Sequence, residues 1–163
     1  MRDPYYTLDT IRPQTSLGYL VKRVYRLAHA QVQAAFDDGE FTFTQWVALS
    51  LLRGGMAETA SGLAREIGHD TGAMTRVIDQ LAQAGLVERH PDPSDRRVTK
   101  LSVTKEGEAA LRRTTPRVMD IWNLLLADFP RADVDRFIAM LTIMEGKLLR
   151  MEADRAERAG ADA

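Results

Sequence analysis

The stretch that organises the chain is residues 60–103, ASGLAREIGHDTGAMTRVIDQLAQAGLVERHPDPSDRRVTKLSV. From Met74 to Leu81 its apolar residues recur at steps of three and four, which is the spacing of an amphipathic helix. A shorter helix is predicted before it, and Gly68 lies between the two in the place of a tight turn. A small residue such as Ala64 facing the second helix lets two helices cross closely. The stretch therefore predicts a helix-turn-helix.

The second of these helices carries groups suited to DNA. Its start is predicted at Asp70 or Thr71, either of which can accept hydrogen bonds from free backbone N–H groups. Small residues at its exposed N-terminal end allow a close approach to a major groove, and longer polar residues can bind bases and phosphates. An ordinary solvated helix face is the alternative. The candidate DNA-binding residues of this helix are Thr71, Gly72, Ala73, Thr75, Arg76 and Gln80.

Two β-prone runs follow, Leu86–His90 and Val98–Val103, joined by the turn-rich sequence PDPSDRR. This pattern predicts a hairpin with a charged tip. An arginine on a narrow hairpin can enter a minor groove, where the potential is most negative, and Asp95 is close enough to steer Arg97. A solvated charged loop is the alternative. The hairpin adds three candidate DNA-binding residues, Asp95, Arg96 and Arg97.

Short motifs stand in a characteristic order along the chain. They are Leu63-Ala64, Thr75-Arg76, Leu81, Gly85-Leu86-Val87, Arg89, Asp92-Pro93, Asp95-Arg96-Arg97 and Leu101-x-x-Thr104-x-x-Gly107. In this order they resemble the MarR (multiple antibiotic resistance regulator) family, from about Leu17 to the final helix. The resemblance implies a homodimeric bacterial transcription regulator, usually a repressor released by a small molecule. One departure is Gln83-Ala84, where the family often has charged residues.

The composition excludes several classes of function. The 163 residues are enough for one domain, or for one domain with dimerisation arms. The net charge is −1, so any affinity for DNA must come from local patches. The absence of cysteine excludes disulfides and thiol-based sensing. His29, His69 and His90 show no metal-ligand spacing, and no phosphate loop or nucleophile motif is present, so we expect no metal, no cofactor and no enzyme.

The chain offers no signal for a membrane. No run approaches the roughly 20 apolar residues that a spanning helix needs. The N-terminal sequence MRDPYYTLDT lacks the apolar segment of a signal peptide. We therefore expect a cytoplasmic protein without a membrane partner.

Long helices are predicted on both sides of the helix-turn-helix and its hairpin. The first runs from Ser16 to about Asp37, and a second begins at a Thr42/Gln45 capping box and runs to about Leu52. The division expected from these elements is an arm and dimerisation helix at 1–40, a winged helix-turn-helix at 41–104, and long dimerisation helices at 105–163.

Two further helices are predicted after the hairpin. Thr104 caps one that reaches roughly Ala127, and Pro116 inside it should bend or split it. The other runs from Arg131 to about Ala156, and the tail from Arg155 to Ala163 is expected to fray. The last helix has apolar residues at the heptad spacing of a coiled-coil seam, which predicts a dimer interface. Packing within one subunit is the alternative. The residues of the seam are Val134, Phe137, Leu141, Met144 and Leu148.

A small-molecule site is predicted near the first long helix. Its residues offer aromatic walls and cationic groups that can pair with a carboxylate, and the family resemblance favours an aromatic acid. Core packing of the same residues is the alternative. The candidate effector-binding residues are Arg23, Tyr25, Arg26, His29 and Trp46.

Taken together, these patterns predict a mainly α protein with a small β-wing that binds double-stranded DNA as a homodimer. Because two-fold protein symmetry asks for two-fold DNA symmetry, a pseudo-palindromic operator is expected. A winged-helix protein-interaction module without DNA function is the alternative. Salt-sensitive duplex binding separates the two hypotheses, since the interaction module should show none.

Overall fold

A computed structural model describes residues 3–36, 39 and 41–161. In this part of the chain a 3-10 turn, Pro13–Thr15, precedes six α-helices and two strands. The helices before the strands are α1 (Leu17–Ala34), α2 (Phe43–Arg53), α3 (Ala60–Ile67) and α4 (Thr71–Gln83). The strands are β1 (Val87–Pro91) and β2 (Thr99–Val103), and the remaining helices are α5 (Lys105–Leu126) and α6 (Arg131–Ala161). The predicted fold class, mainly α with a small β-wing, is confirmed.

The chain forms two compact units, Met1–Ile121 and Trp122–Ala163. The first unit contains the helix-turn-helix and the hairpin. The predicted division at residues 40 and 104 stays a prediction. No helix among the described residues is long and apolar enough to cross a membrane.

The core of the first unit lies where α2, α3 and α4 meet the hairpin. Leu49, Leu63 and Met74 are fully buried there, and Ile78 and Leu81 are 1% exposed. These residues lie on the faces that the three- and four-residue spacing predicts, because each helix turns its apolar side toward the others. Burial of each such side chain contributes about 1.5–3 kcal/mol.

The turn between α3 and α4 depends on one glycine. Gly68 adopts φ 73°, a left-handed conformation that side chains with a Cβ rarely take. The His69 N–H donates to the carbonyl oxygen of Ala64 at 2.9 Å, which completes the end of α3. Asp70 caps α4, so the predicted choice between Asp70 and Thr71 falls to Asp70.

The hairpin is antiparallel, with Val87 opposite Val103 and Pro91 opposite Thr99. Its second strand is also bound to the loop before α3, since the Leu101 N–H donates to the Glu58 carbonyl oxygen at 2.8 Å. The hairpin is therefore fixed to the helical unit at the middle of β2.

The helix caps agree with the sequence at two positions. The Thr42 hydroxyl accepts from the Gln45 N–H at 3.2 Å, and the Thr42 N–H donates to the Gln45 side chain at 2.8 Å, which is the predicted capping box. Thr104 caps α5 by accepting from the Gly107 N–H at 3.0 Å. These caps fix where α2 and α5 begin.

Two helix ends differ from the prediction. Helix α1 ends at Ala34, before the predicted end at about Asp37, and Asp37 itself lies outside the described residues. Helix α6 continues to Ala161, beyond the predicted end at about Ala156, and the expected fraying of the tail stays a prediction. The reason for the longer helix is local propensity, because Ala, Glu and Arg are among the best helix formers.

Pro116 does not split α5, which is continuous from Lys105 to Leu126. A proline inside a helix removes one backbone hydrogen bond and leaves the bonds of the other turns in place. The predicted split is therefore wrong, and the predicted bend stays a prediction.

Candidate nucleic-acid interface

One face of α4 is open to solvent and the other is buried. Met74, Ile78 and Leu81 are buried against the core. The six predicted DNA-binding residues of this helix, Thr71, Gly72, Ala73, Thr75, Arg76 and Gln80, are all exposed. The structure thus brings them together on one outward face.

The first turn of α4 has few free hydrogen-bond donors. The Asp70 carboxylate accepts from the Gly72 N–H at 2.8 Å and from the Ala73 N–H at 3.1 Å. The Thr75 hydroxyl donates to the Thr71 carbonyl oxygen at 2.9 Å. This turn therefore offers a small, close-fitting surface, and the Thr75 oxygen keeps only its capacity to accept.

The later residues of this face carry the stronger donors. Arg76 makes no hydrogen bond or ion pair with another described residue. The Gln80 side-chain oxygen accepts from Gln45 Nε2 at 3.2 Å, which ties α4 to α2 and leaves the Gln80 amide N–H groups unused. Arg76 is thus the cation on this face with its full donor capacity.

Asp92 organises the tip of the hairpin. Its carboxylate accepts from the Ser94 N–H at 2.7 Å, from the Asp95 N–H at 3.1 Å, and from the Ser94 hydroxyl. These hydrogen bonds, first of all the one from the Ser94 hydroxyl, hold the pKa of Asp92 well below its ordinary value. The carboxylate is therefore charged at neutral pH and fixes the turn.

Asp95 holds Arg97 at the tip, as the sequence predicts. The Arg97 backbone N–H also donates to Asp95, at 3.0 Å, so side chain and main chain are bound to one carboxylate. Hydrogen bonds from the Arg97 side chain and then its backbone lower the pKa of Asp95. Arg96 is exposed and makes no such contact within the described residues. The tip thus presents one fixed and one unpaired arginine.

A pair that sequence analysis missed joins the hairpin to α4. Arg89 on β1 forms a hydrogen-bonded ion pair with Asp79 on α4. Both side chains are about half exposed, and such pairs contribute little to stability, so its effect is on position. Arg89 belongs to the quoted motifs, but nothing in its spacing from Asp79 signals the contact.

Three of the five candidate effector residues, Tyr25, His29 and Trp46, form part of an aromatic cluster in the first unit. Ring centroids are 5.5 Å apart for Tyr25 and His29, 4.9 Å for His29 and Phe43, and 5.9 Å for Phe43 and Trp46. The sequence analysis did not include Phe43, whose ring lies between those of His29 and Trp46. Trp46 Nε1 donates to Thr115 Oγ1 at 3.2 Å, so its polar group already has a partner.

The two arginines predicted for this site lie on the exposed surface of α1. Arg23 Nη1 donates to the Tyr19 hydroxyl at 3.0 Å. Tyr25 is 67% exposed, which speaks against core packing for this ring. Arg26 is exposed as well. The assignment of an effector to these residues stays a prediction.

Helix α6 of the second unit exposes much of its predicted seam. Phe137 is 50% exposed, Met144 36% and Leu148 58%, while Val134 and Leu141 are partly buried.

Among the described residues of the whole chain, no three His, Asp or Glu side chains come together as metal ligands.

Comparisons with known proteins find one matching family model and several solved structures with a similar fold. Residues 41–99, from just before α2 to the first residue of β2, match the model of the MarR family. Wild-type apo MarR from E. coli is 25% identical, with a TM-score of 0.67 over 79% of this chain and 96% of that chain.

Two further solved structures share the fold. BpsR of Bordetella bronchiseptica, whose DNA binding is regulated by 6-hydroxynicotinic acid, is 24% identical, with a TM-score of 0.67 over 88% of this chain and 98% of that one. The MepR–DNA complex of S. aureus is 16% identical, with a TM-score of 0.66 over 83% and 98%.

Proposed function

We propose that this chain is a DNA-binding transcription regulator of the MarR family, and that it is a homodimeric repressor that a small aromatic acid releases from its operator. The observation that carries the proposal is the pairing of an exposed helix face with an arginine-bearing hairpin on one packed unit. Arg76 on α4 and Arg97 on the tip are both exposed, and the Asp79–Arg89 pair fixes α4 and β1 to each other.

Each element suits one groove of B-DNA. A helix with small residues in its first turn fits the major groove, which is wide enough to admit it. Asp95 orients Arg97 on a narrow support, which suits the minor groove. Arg96, without a partner in the described part of the chain, is suited to a phosphate contact.

A second copy of the chain is the proposed occupant of the exposed face of α6. This helix has 31 residues and is therefore about 46 Å long. Exposed apolar patches of such a length mark interaction sites, and the heptad spacing of Phe137, Leu141, Met144 and Leu148 suits a helix of the same kind. Two copies present two DNA-reading units, which suits a pseudo-palindromic operator.

The proposed effector binds at the exposed end of the aromatic cluster. Tyr25 and His29 offer ring faces, while Arg23 and Arg26 lie on the same helix and can pair with a carboxylate. Regulation of BpsR by 6-hydroxynicotinic acid, an aromatic carboxylate, supports this class of ligand. A ligand that prefers the DNA-incompetent spacing of the two α4 helices shifts the population by that difference in affinity.

The experiment measures fluorescence anisotropy of labelled DNA from the promoter of the chain's own gene, against a scrambled duplex of equal length. We expect tighter binding of the promoter DNA, a steep loss of affinity with salt, and a dimer by light scattering. Equal, salt-insensitive binding of both duplexes would refute a DNA-regulatory function.

The effector is tested by titrating a panel of aromatic carboxylates against the protein–operator complex. At least one should release the DNA, and Tyr25→Ala should weaken that release. Tyr5→Ala is the matched control, because Tyr5 is an exposed tyrosine outside the cluster, 86% exposed. If no carboxylate weakens DNA binding or raises the melting temperature, the effector proposal is wrong.

A further inference from the structure

Lys100 on β2 joins two segments that lie far from it in sequence. Its Nζ lies 2.9 Å from Glu58 Oε2, in the loop between α2 and α3, and 3.3 Å from Asp92 Oδ2, at the start of the hairpin tip. The Asp92 side chain is only 12% exposed and that of Lys100 41%, so the ammonium is partly enclosed by its partners.

Backbone hydrogen bonds join the same segments that Lys100 joins. The residue next to Lys100, Leu101, donates its N–H to the Glu58 carbonyl oxygen, and the Asp92 N–H donates to Val98 at 2.9 Å. Glu58 is therefore bound to β2 through both its main chain and its side chain. The hydrogen bond to Glu58 and then the one to Asp92 raise the pKa of Lys100, so the ammonium stays charged across neutral pH.

These contacts form a continuous connection to the DNA-reading arginine. Lys100 binds the Asp92 carboxylate, and the same carboxylate accepts from the backbone N–H of Asp95. Asp95 in turn binds Arg97. A change in the position of Lys100 therefore reaches Arg97 through fixed hydrogen bonds.

We propose that Glu58, Lys100 and Asp92 form a wing anchor, a positioning cluster that holds the hairpin tip in the orientation that Arg97 needs for DNA. The anchor acts by preorganisation, because a tip that is already ordered loses less conformational entropy on binding. It also neutralises part of the charge of two carboxylates close to the DNA-reading tip. The inference rests on the proposed function, in which Arg97 contacts DNA.

The first test does not involve DNA. Lys100→Met should make trypsin cleave faster after Arg96 and Arg97, as measured by mass spectrometry of the native protein. Lys105→Met is the control, because it removes the same charge just beyond β2 from a lysine with no ion pair in the described part of the chain. Equal cleavage rates in Lys100→Met and wild type would overturn the anchor.

The second test uses the operator. Lys100→Met should weaken operator binding about 3- to 10-fold, and Lys100→Arg should restore it. Glu58→Gln, which keeps the size of the side chain, should also weaken binding, although it removes a negative charge near DNA. If Lys100 merely supplied positive charge, Glu58→Gln would leave binding unchanged or strengthen it, and the anchor would be wrong.

The third test separates positioning from a direct phosphate contact. In an Arg97→Ala background, Lys100→Met should cause almost no further loss, since the group it positions is gone. A full additional loss would show that Lys100 contacts DNA itself and would overturn the proposal. Circular dichroism should show that the variants are folded, because the Lys100 side chain is 41% exposed and lies outside the hydrophobic core.

Failure of the proposed function is distinguishable from failure of the anchor. If the wild-type protein shows no salt-dependent binding to promoter DNA, the proposed function fails, and the trypsin experiment alone decides on the anchor. If the wild-type protein binds while Lys100→Met and Glu58→Gln bind equally well, only the anchor fails.

Discussion

Arg97 and Asp95 are joined at two points: Arg97 Nε lies 3.1 Å from Asp95 Oδ1, and Arg97 Nη2 lies 3.2 Å from Oδ2. The Arg97 side chain is nevertheless 92% exposed. A guanidinium has five N–H donors, so three remain for another partner. The carboxylate therefore orients the arginine without covering it.

This pair stays charged at neutral pH. Because Arg97 lowers the pKa of Asp95 below its ordinary 3.8, the contribution of the pair is complete above that value. It is lost only as the pH falls through the lower pKa of the folded state. Titration of Asp95 therefore has no effect on DNA binding between pH 6 and 8, about the range in which such binding is measured.

Arg97→Ala should weaken operator binding by about 1–3 kcal/mol while folding is unchanged. The reason is the loss of an exposed cation that Asp95 orients and that is proposed to enter the minor groove. Fluorescence anisotropy at fixed salt measures the effect, and Arg158→Ala near the end of α6 is the control for a lost charge. Arg96→Ala should cost less and lower the salt slope by about one unit. Unchanged affinity of Arg97→Ala would rule out a wing contact.

Arg76→Ala should reduce the discrimination between operator and random DNA. Arg76 is exposed on α4 with no ion-pair partner among the described residues, and a bidentate base contact gives about 1–3 kcal/mol of discrimination. Parallel anisotropy titrations of both duplexes measure the ratio of affinities. An equal loss on the two duplexes would reassign Arg76 to the DNA backbone.

Leu141→Glu with Leu148→Glu should give a monomer or an unfolded protein, since the seam would bury unpaired carboxylates. Operator binding should be lost as well, because half-sites about 34 Å apart need two DNA-reading units. Light scattering and anisotropy measure the two effects. Arg150→Glu is the control, because it lies nine residues, two and a half helical turns, from Leu141 on the opposite face. A dimeric and active double variant would place the interface elsewhere.

Gly107→Ala should destabilise the first unit by about 1–3 kcal/mol, the usual cost of overpacking. A Cβ at Gly107 would overlap the Leu86 carbonyl oxygen and lie 2.7 Å from Val103 Cγ1. Chemical denaturation measures the free energy of unfolding. Gly160→Ala in α6 is the control, because nothing lies within 4 Å of its added Cβ. A Gly107→Ala protein as stable as wild type would contradict the close approach.

The close approach at Gly107 also gives the Thr-x-x-Gly motif a physical meaning. Thr104 Oγ1 donates to the Gly85 carbonyl oxygen at 2.7 Å and accepts from the Gly107 N–H at 3.0 Å. One threonine thus caps α5 and fixes it to the end of α4. The motif was visible in the sequence, but the partner at Gly85 was not.

The elements and their faces follow from the sequence because they depend on neighbours three or four residues apart. The stripe from Met74 to Leu81 predicted the buried side of α4, and the Thr42/Gln45 box predicted the start of α2. Asp95 and Arg97 are two residues apart, so their contact was predictable too. The helix ends at Ala34 and Ala161 were less predictable, because the helix propensity of only a few residues decides where a helix ends.

Contacts between residues far apart in the chain were decided only by the tertiary structure. Asp79 meets Arg89, and Glu58 meets Lys100, because α4, β2 and the loop before α3 pack on one core. The same packing places Phe43 between His29 and Trp46. The sequence shows which kinds of group a charged or aromatic side chain can bind. Its actual partner depends on which surfaces the packing of the buried apolar residues brings together.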